Sequence, residues 1–284
     1  MRVQAADMPW NDRAGRFSRL RLVACLIAFG PALILILDAA IGDLGAKPLT
    51  EAIHRTGEWA VRLLILTLAI TPLRRITGWN RLITVRRLLG LATFGYAFGH
   101  FVLYWADQNW NPARIVTELV SRVYLTIGFA ALAGLAVLAA TSTDGAIHRL
   151  GNTWQKLHRI GYLCAALAIL HFFMQAKIDA DQAALMLGFF LLVMSYRAAH
   201  ALGLPLASPF TLIGVAGLGA VVTAFLEAGW YGVATRIPWQ AVLSANLQLA
   251  PEPRPAFWIL VVGVLAALLP FRRRLVAFRI ARSH

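Results

Sequence analysis

The sequence predicts an all-α, polytopic membrane helix bundle, with a six-helix core and two further C-terminal membrane helices. Three observations predict it. Of 284 residues, 59% are hydrophobic and 14% charged, whereas a soluble domain is nearer half apolar and a quarter charged. The apolar residues fall into runs of about 20, the helical length that crosses a bilayer. The basic residues sit in short clusters between those runs, which is how membrane topology is written. The net charge of +14 therefore reads as topology rather than as a nucleic-acid surface.

The first run, 20–41, follows Arg13, Arg16, Arg19 and Arg21. It is long for a signal peptide and ends in no clear A-x-A site, so it is expected to stay as an uncleaved span, with Pro31 as a tolerated kink. Further spans are expected at 58–73, 88–107, 120–140, 158–176 and 182–199. Two more follow at 209–228 and 256–271. The second and last are short, and Arg62 interrupts the second. The proline-rich stretch 229–255 reads as an irregular outer loop with an interfacial turn near Trp239. The expected domains are a cytoplasmic segment 1–19, a core 20–201 and an extension 202–284.

Orientation follows from Lys and Arg. With the N-terminus in the cytoplasm, the inner segments carry nineteen basic residues, including Arg74, Arg75, Arg81, Arg86 and Arg87 after the second run. The outer segments carry seven: Lys47, Arg55, Arg114, Arg122, Lys177, Arg236 and Arg254. Both termini are expected inside. Cys25 and Cys164 lie in apolar runs and read as small hydrophobes. No C-x-x-C-H, zinc pair, phosphate loop or H-E-x-x-H occurs, which removes covalent c-type haem and several enzyme classes.

Ionisable groups inside membrane helices mark function. His158 and His171 bracket the fifth span. They stand about 20 Å apart along the helix axis, and both are read as facing one bundle interior. His100 lies deep in the third span, at a depth like that of His171, and the two can face each other. Each reads either as an axial ligand to haem iron or as a polar group bonded to a neighbouring helix. Thirteen residues before His100 stands Arg87, which cannot ligate iron. Arg86 and Arg87 offer guanidinium forks to a phosphate, or serve as ordinary topology anchors. His54 reads as interfacial, and His148, His200 and His284 as solvated. No convincing internal repeat is evident.

Five stretches, in order, carry a resemblance: LGAKPLTEAIHRTGEWAVRLLILTLAITPLRR, RRLLGLATFGYAFGHFVLYW, SRVYLTIGF, TSTDGAIHRLGNTWQKLHRIGYL and ILHFF. Over roughly residues 44–197 the chain resembles the ferric reductase-like transmembrane superfamily and, within it, the MsrQ (YedZ) family. The resemblance implies b-type haem held by His100 and His171, with His158 as a possible alternative iron ligand. It implies FMN, making the chain a flavoprotein, with Arg86 and Arg87 as the matching basic pair. It implies a multi-pass protein of the bacterial inner membrane with both termini cytoplasmic. Its implied partner is a periplasmic molybdopterin enzyme, MsrP-like, which repairs oxidised methionines in envelope proteins. The quinone pool or a cytosolic flavin reductase is the implied donor.

The chain would then be an electron-transfer subunit of an oxidoreductase complex rather than its catalytic subunit. About a dozen residues follow the last span, so a separate electron donor is expected. The alternatives are a cytochrome b subunit of another quinol-linked or metal-reducing system, and a proton-coupled transporter. The resemblance says little about residues 205–284, which could brace the bundle, dock a partner or bind quinone.

Overall fold

In the computed structural model the described residues are 8–11, 14–176, 179–249 and 252–281, with side chains described through 270. His284 and the basic residues Arg2, Arg13, Lys177 and Arg282, which entered the orientation argument, lie outside them. The side chains of Arg272, Arg273, Arg274 and Arg279 do so as well.

Twelve α-helices and one 3-10 turn, Asn80–Val85, make up the regular structure of the described residues. The helices are α1 (Arg19–Ile41), α2 (Pro48–Thr77), α3 (Arg86–Asp107), α4 (Pro112–Ser121), α5 (Val123–Ala140), α6 (Asp144–Leu150), α7 (Asn152–Leu157), α8 (Ile160–Ala176), α9 (Asp181–Ala201), α10 (Pro209–Ala234), α11 (Trp239–Ala245) and α12 (Pro255–Ala281). Their termini carry local causes. Ser18 accepts from the Arg21 amide at the start of α1, and Gly42 ends that helix in the left-handed conformation, at φ 77°. Asn111 caps α4, with Pro112 in its first turn.

Each expected span has a helix. Six stretches are long and apolar enough to cross a membrane: α1, the 3-10 turn with α3, α5, α7 with α8, α9 and α10. The protein is an all-α, multi-pass membrane protein. α2 is a 30-residue helix rather than the short run its hydropathy suggests. Its first half carries Glu51, Arg55, Glu58 and Arg62, which pair one turn apart as Arg55–Glu51 at 2.7 Å and Arg62–Glu58 at 2.8 Å. Such i,i+4 pairing lets charged residues extend a helix that an apolar count would end early. The apolar part of α12, Pro255–Pro270, is shorter than a full span.

The chain divides into two compact units. One comprises Met1–Thr67 with Arg81–His171, the other Leu68–Asn80 with Phe172–His284. In the first, α3 packs against α1 and α5, and α4 against α5. In the second, α9, α10 and α12 pack on one another and α11 on α10. That second core centres on Ile76, Leu192, Tyr196, Leu212, Ile259 and Ala267. α10 and α12 come so close that a Cβ on Gly263 would meet Ala216. Near the start of α12 a charged cluster is tied down. Arg254 bridges Asp181 at 3.0 Å and the fully buried Glu227. Asn246 donates to Glu227 at 3.0 Å, and the Tyr231 hydroxyl donates to Asp181 at 3.2 Å.

Candidate functional site: a facing pair of imidazoles

The first unit brings His100 and His171 together. His100 sits on α3 with Nδ1 2.8 Å from the Ile53 carbonyl of α2. His171 sits on α8 with Nδ1 2.8 Å from the Tyr124 carbonyl of α5. A carbonyl can only accept, so each Nδ1 carries the proton and each Nε2 keeps its lone pair. The ring centres are 6.3 Å apart with planes crossed at 82°. Imidazole nitrogens bind metals at about 2 Å, so two rings on opposite faces of one iron have centres about 6 Å apart. The observed separation fits. Among the described residues no group of three or more His, Cys, Asp or Glu side chains is placed to hold a metal ion. A pair of nitrogens suits a metal whose other positions are filled by a macrocycle, which is haem.

A glycine stands behind each ring. A Cβ on Gly57 would lie 2.9 Å from His100 Nδ1, and one on Gly128 would lie 2.7 Å from His171 Nδ1. Only a bare backbone lets the imidazole approach the helix closely enough to reach the carbonyl four residues earlier. The two arrangements are copies. Ile53, Gly57, Gly90 and His100 correspond to Tyr124, Gly128, Gly161 and His171, each 71 positions later. A Cβ on Gly90 would lie 3.6 Å from Thr67, as one on Gly161 would lie 3.5 Å from Leu138, again 71 apart. The same offset maps Arg87 onto His158. The first unit thus contains an internal repeat that the sequence reading does not recover. The repeat explains why the 13-residue spacing occurs twice.

His158 is built into a different cluster. It caps α7 rather than starting the long helix, which begins at Ile160. The chain therefore breaks between His158 and His171, and an unbroken helix does not relate them. Its ring stacks on Trp154, with centres 3.9 Å apart, and its Nε2 lies 3.2 Å from the Thr141 hydroxyl. Trp154 Nε1 donates to the Thr141 carbonyl at 2.8 Å. The T-S-T and W-x-x-x-H motifs are thus one hydrogen-bonded knot, and Thr143 caps α6 beside it. Arg86 lies close enough to act electrostatically on His158. Arg87 instead pairs with Asp144 at 2.6 Å. His54, His148 and His200 are exposed.

Beyond His100, Phe101 lies 6.3 Å from Trp105, and Trp105 lies 5.9 Å from Trp110, which is exposed. Asn109 and Trp110 both have positive φ, 55° and 56°, a conformation that costs non-glycine residues energy. Ile53, Tyr124 and the two glycines have no side-chain chemistry to announce them. The 71-residue offset is the signal that finds them.

Comparison with known proteins identifies the family. The family model described as ferric reductase like transmembrane component matches residues 56–169. A protein of Xanthomonas campestris pv. campestris (strain B100), called protein-methionine-sulfoxide reductase heme-binding subunit MsrQ, is 47% identical over 155 residues. These cover 54% of this chain and 71% of that one. Proteins of the same name from Ralstonia nicotianae and Herminiimonas arsenicoxydans are each 44% identical. They match over 155 residues (54% of this chain, 71% of theirs) and 152 residues (53% and 68%) respectively. No solved structure matches. With about 70% of each relative's length covered at such identity, the chain belongs to the MsrQ family.

Proposed function

We propose that the protein is a b-type haem electron-transfer subunit of a methionine sulfoxide reductase system. The observation that carries this reading is the facing imidazole pair, each ring with a free Nε2 and 6.3 Å between centres. His100 and His171 would hold the iron, and bound haem would supply one-electron storage within the bilayer. The chain's own part is positional. The Ile53 and Tyr124 carbonyls hold each Nδ1 proton, which fixes the tautomer and the ring direction. Gly57 and Gly128 set how far each ring withdraws, and the apolar helices exclude water.

In this reading the protein lies in a bacterial inner membrane with both termini cytoplasmic. It takes electrons from quinol or a cytosolic flavin reductase and passes them to a periplasmic MsrP-like molybdopterin subunit. FMN would bind on the cytoplasmic side, with Arg86 and Arg87 meeting its phosphate. His158, tied to Thr141 and Trp154, lies beside that region as a second redox contact or alternative iron ligand. Residues 20–201 would carry the redox site.

The test is spectroscopic. Protein purified in mild detergent is expected to show a b-type reduced-minus-oxidised spectrum that His100→Ala and His171→Ala both abolish. His158→Ala separates an iron ligand from a flavin neighbour. A colourless wild type, expressed with haem supplied, overturns the reading. Copurification with a molybdopterin protein tests the partner.

A further inference from the structure

The end of α3 carries a row of rings that the imidazole pair does not use. Phe101 follows His100 and lies 5.8 Å from Phe129 of α5 and 6.3 Å from Trp105. Trp105 lies 5.9 Å from Trp110, and Trp110 is 58% exposed. These separations are those of aromatic side chains in contact. The row therefore starts at the neighbour of a candidate iron ligand and ends at the surface. Trp105 stands five residues past His100, about 7.5 Å along the helix axis. All four rings belong to the first unit.

Two observations set this row apart from the tryptophans that anchor helices at a membrane–water boundary, where the indole N–H meets a polar partner. First, Trp105 Nε1 is buried with no hydrogen-bond partner. Such groups are nearly always matched, so ring contacts alone hold this indole in place. Second, the backbone spends energy to bring Trp110 to it. Asn109 and Trp110 follow the helix with φ of 55° and 56°. Helices commonly turn off through one glycine in this conformation. Asparagine tolerates it, whereas a bulky residue such as tryptophan does so at a cost. The Asn109 amide donates to the Ala106 carbonyl at 2.9 Å, and the Trp110 amide donates to the Trp105 carbonyl at 3.0 Å. The chain thus doubles back on the end of α3 and sets the Trp110 ring against Trp105. Glycine at 110 would make the turn without strain but would present no ring, and strain retained in this way points to function.

We propose that Trp105 and Trp110 carry the electron outward from the haem that His100 and His171 would hold, with Trp110 as the point of exit to a periplasmic redox protein. The proposal rests on the electron-transfer reading and adds to it the route by which the electron leaves. Tunnelling weakens steeply across gaps and less steeply through packed matter, so a row of rings in contact is a better path than a gap of equal length. The step moves one electron. The iron passes from ferrous to ferric and the acceptor gains that electron, with no bond broken and no proton moved. Both indoles keep all their electrons, because indole is far harder to oxidise than a b-type haem. They act as the medium between donor and acceptor.

The test uses the full haem-loaded chain in nanodiscs with one ferrocene maleimide attached as acceptor. Both native cysteines are buried, so an introduced cysteine takes the label. It is placed by Ala113→Cys, three residues past Trp110, or by Lys47→Cys, ahead of α2 and outside the row; both positions are exposed. A laser flash oxidises the ferrocene, and the Soret band follows oxidation of the haem. From position 113, Trp105→Leu and Trp110→Leu are each expected to slow the transfer about tenfold, and Trp105→Phe, which keeps a ring, much less. From position 47 all three are expected to match their parent. Haem content, spectrum and midpoint potential are expected to stay unchanged, which separates the route from damage to the iron site. Oxidative footprinting of the same protein should mark Trp110 more heavily than Trp105. Unslowed transfer from position 113 in both leucine variants overturns the route, as does equal slowing from both positions or the reverse footprint. Those results leave the haem reading standing, whereas absence of haem overturns both.

Discussion

Replacing Gly128 with alanine pits two effects of opposite sign against each other. Alanine is the better helix former, by about 0.8–1 kcal/mol, so α5 itself gains. The new methyl, however, lands 2.7 Å from His171 Nδ1 and 2.9 Å from its Cε1. Restoring an ordinary 3.4 Å contact requires about 0.7 Å of ring withdrawal. That movement stretches the 2.8 Å bond to the Tyr124 carbonyl out of hydrogen-bond range, and leaving a buried donor unmatched costs about 1–3 kcal/mol. The same 0.7 Å is a third of an iron–nitrogen bond of about 2 Å. Gly128→Ala is therefore expected to fold with a net loss of at most about 2 kcal/mol of stability while retaining haem roughly five- to a hundredfold more weakly. The haem it does retain should shift from low spin toward high spin. Gly57→Ala, with its contact at 2.9 Å, needs about 0.5 Å and should show the weaker form of the same defect. The assay is haem per protein by pyridine haemochrome, with electron paramagnetic resonance for spin state. A Gly128→Ala protein with full haem content and an unaltered low-spin signal would refute the reasoning.

Other expectations follow from contacts in each unit. Arg254→Ala removes the cation from the fully buried Glu227 and should cost on the order of 3 kcal/mol. Adding Glu227→Gln should recover most of that, and the visible spectrum should not change; a melting temperature equal to wild type would refute it. Gly263→Val forces side-chain atoms into Ala216, whose Cα lies 3.2 Å from the ideal Cβ. It should lower the melting temperature by an amount equivalent to about 1–3 kcal/mol; an unshifted transition would count against the close α10–α12 packing. Asp144→Asn frees Arg87 from an exposed pair worth at most about 1 kcal/mol, so flavin affinity should rise no more than about fivefold. Arg86→Ala and Arg87→Ala should lower flavin affinity, and flavin content unaffected by both would remove the proposed phosphate contact.

Six of the eight expected spans were legible because bilayers demand long apolar runs; α2 and α12 are helices that fall outside that measure among the described residues. α2 was legible only in part. Its first turns are charged residues that neutralise one another at i,i+4, which hydropathy counts as an end and geometry as a continuation. His100 and His171 could be found because imidazoles are rare in membrane helices and sat at matching depth. What holds them could not be read directly, since a backbone carbonyl at Ile53 or Tyr124 has no residue type of its own. His158 misled in one respect. Thirteen residues set two side chains about 140° apart on an unbroken helix, and the chain in any case breaks at His158 and Arg159. The amphipathic helix α4 was missed because ten residues that include Arg114 and run up to Arg122 look like a loop until Asn111 and Pro112 are read as a cap and first turn.

The 71-residue correspondence separates two tasks that a metal-binding protein usually entangles. Each imidazole takes its orientation from a helix of its own copy, His100 from α2 and His171 from α5. The gap between them depends on how the copies lie together, as α3 does against α5. Direction is thus inherited and spacing is negotiated. The connection from Gln108 to Arg122 can lengthen, shorten or change its helix over evolutionary time without disturbing either ring's grip, while α3 and α5 adjust the span. In such an arrangement a change in the linker leaves each ring's hydrogen bond alone, whereas a side chain at either glycine does not.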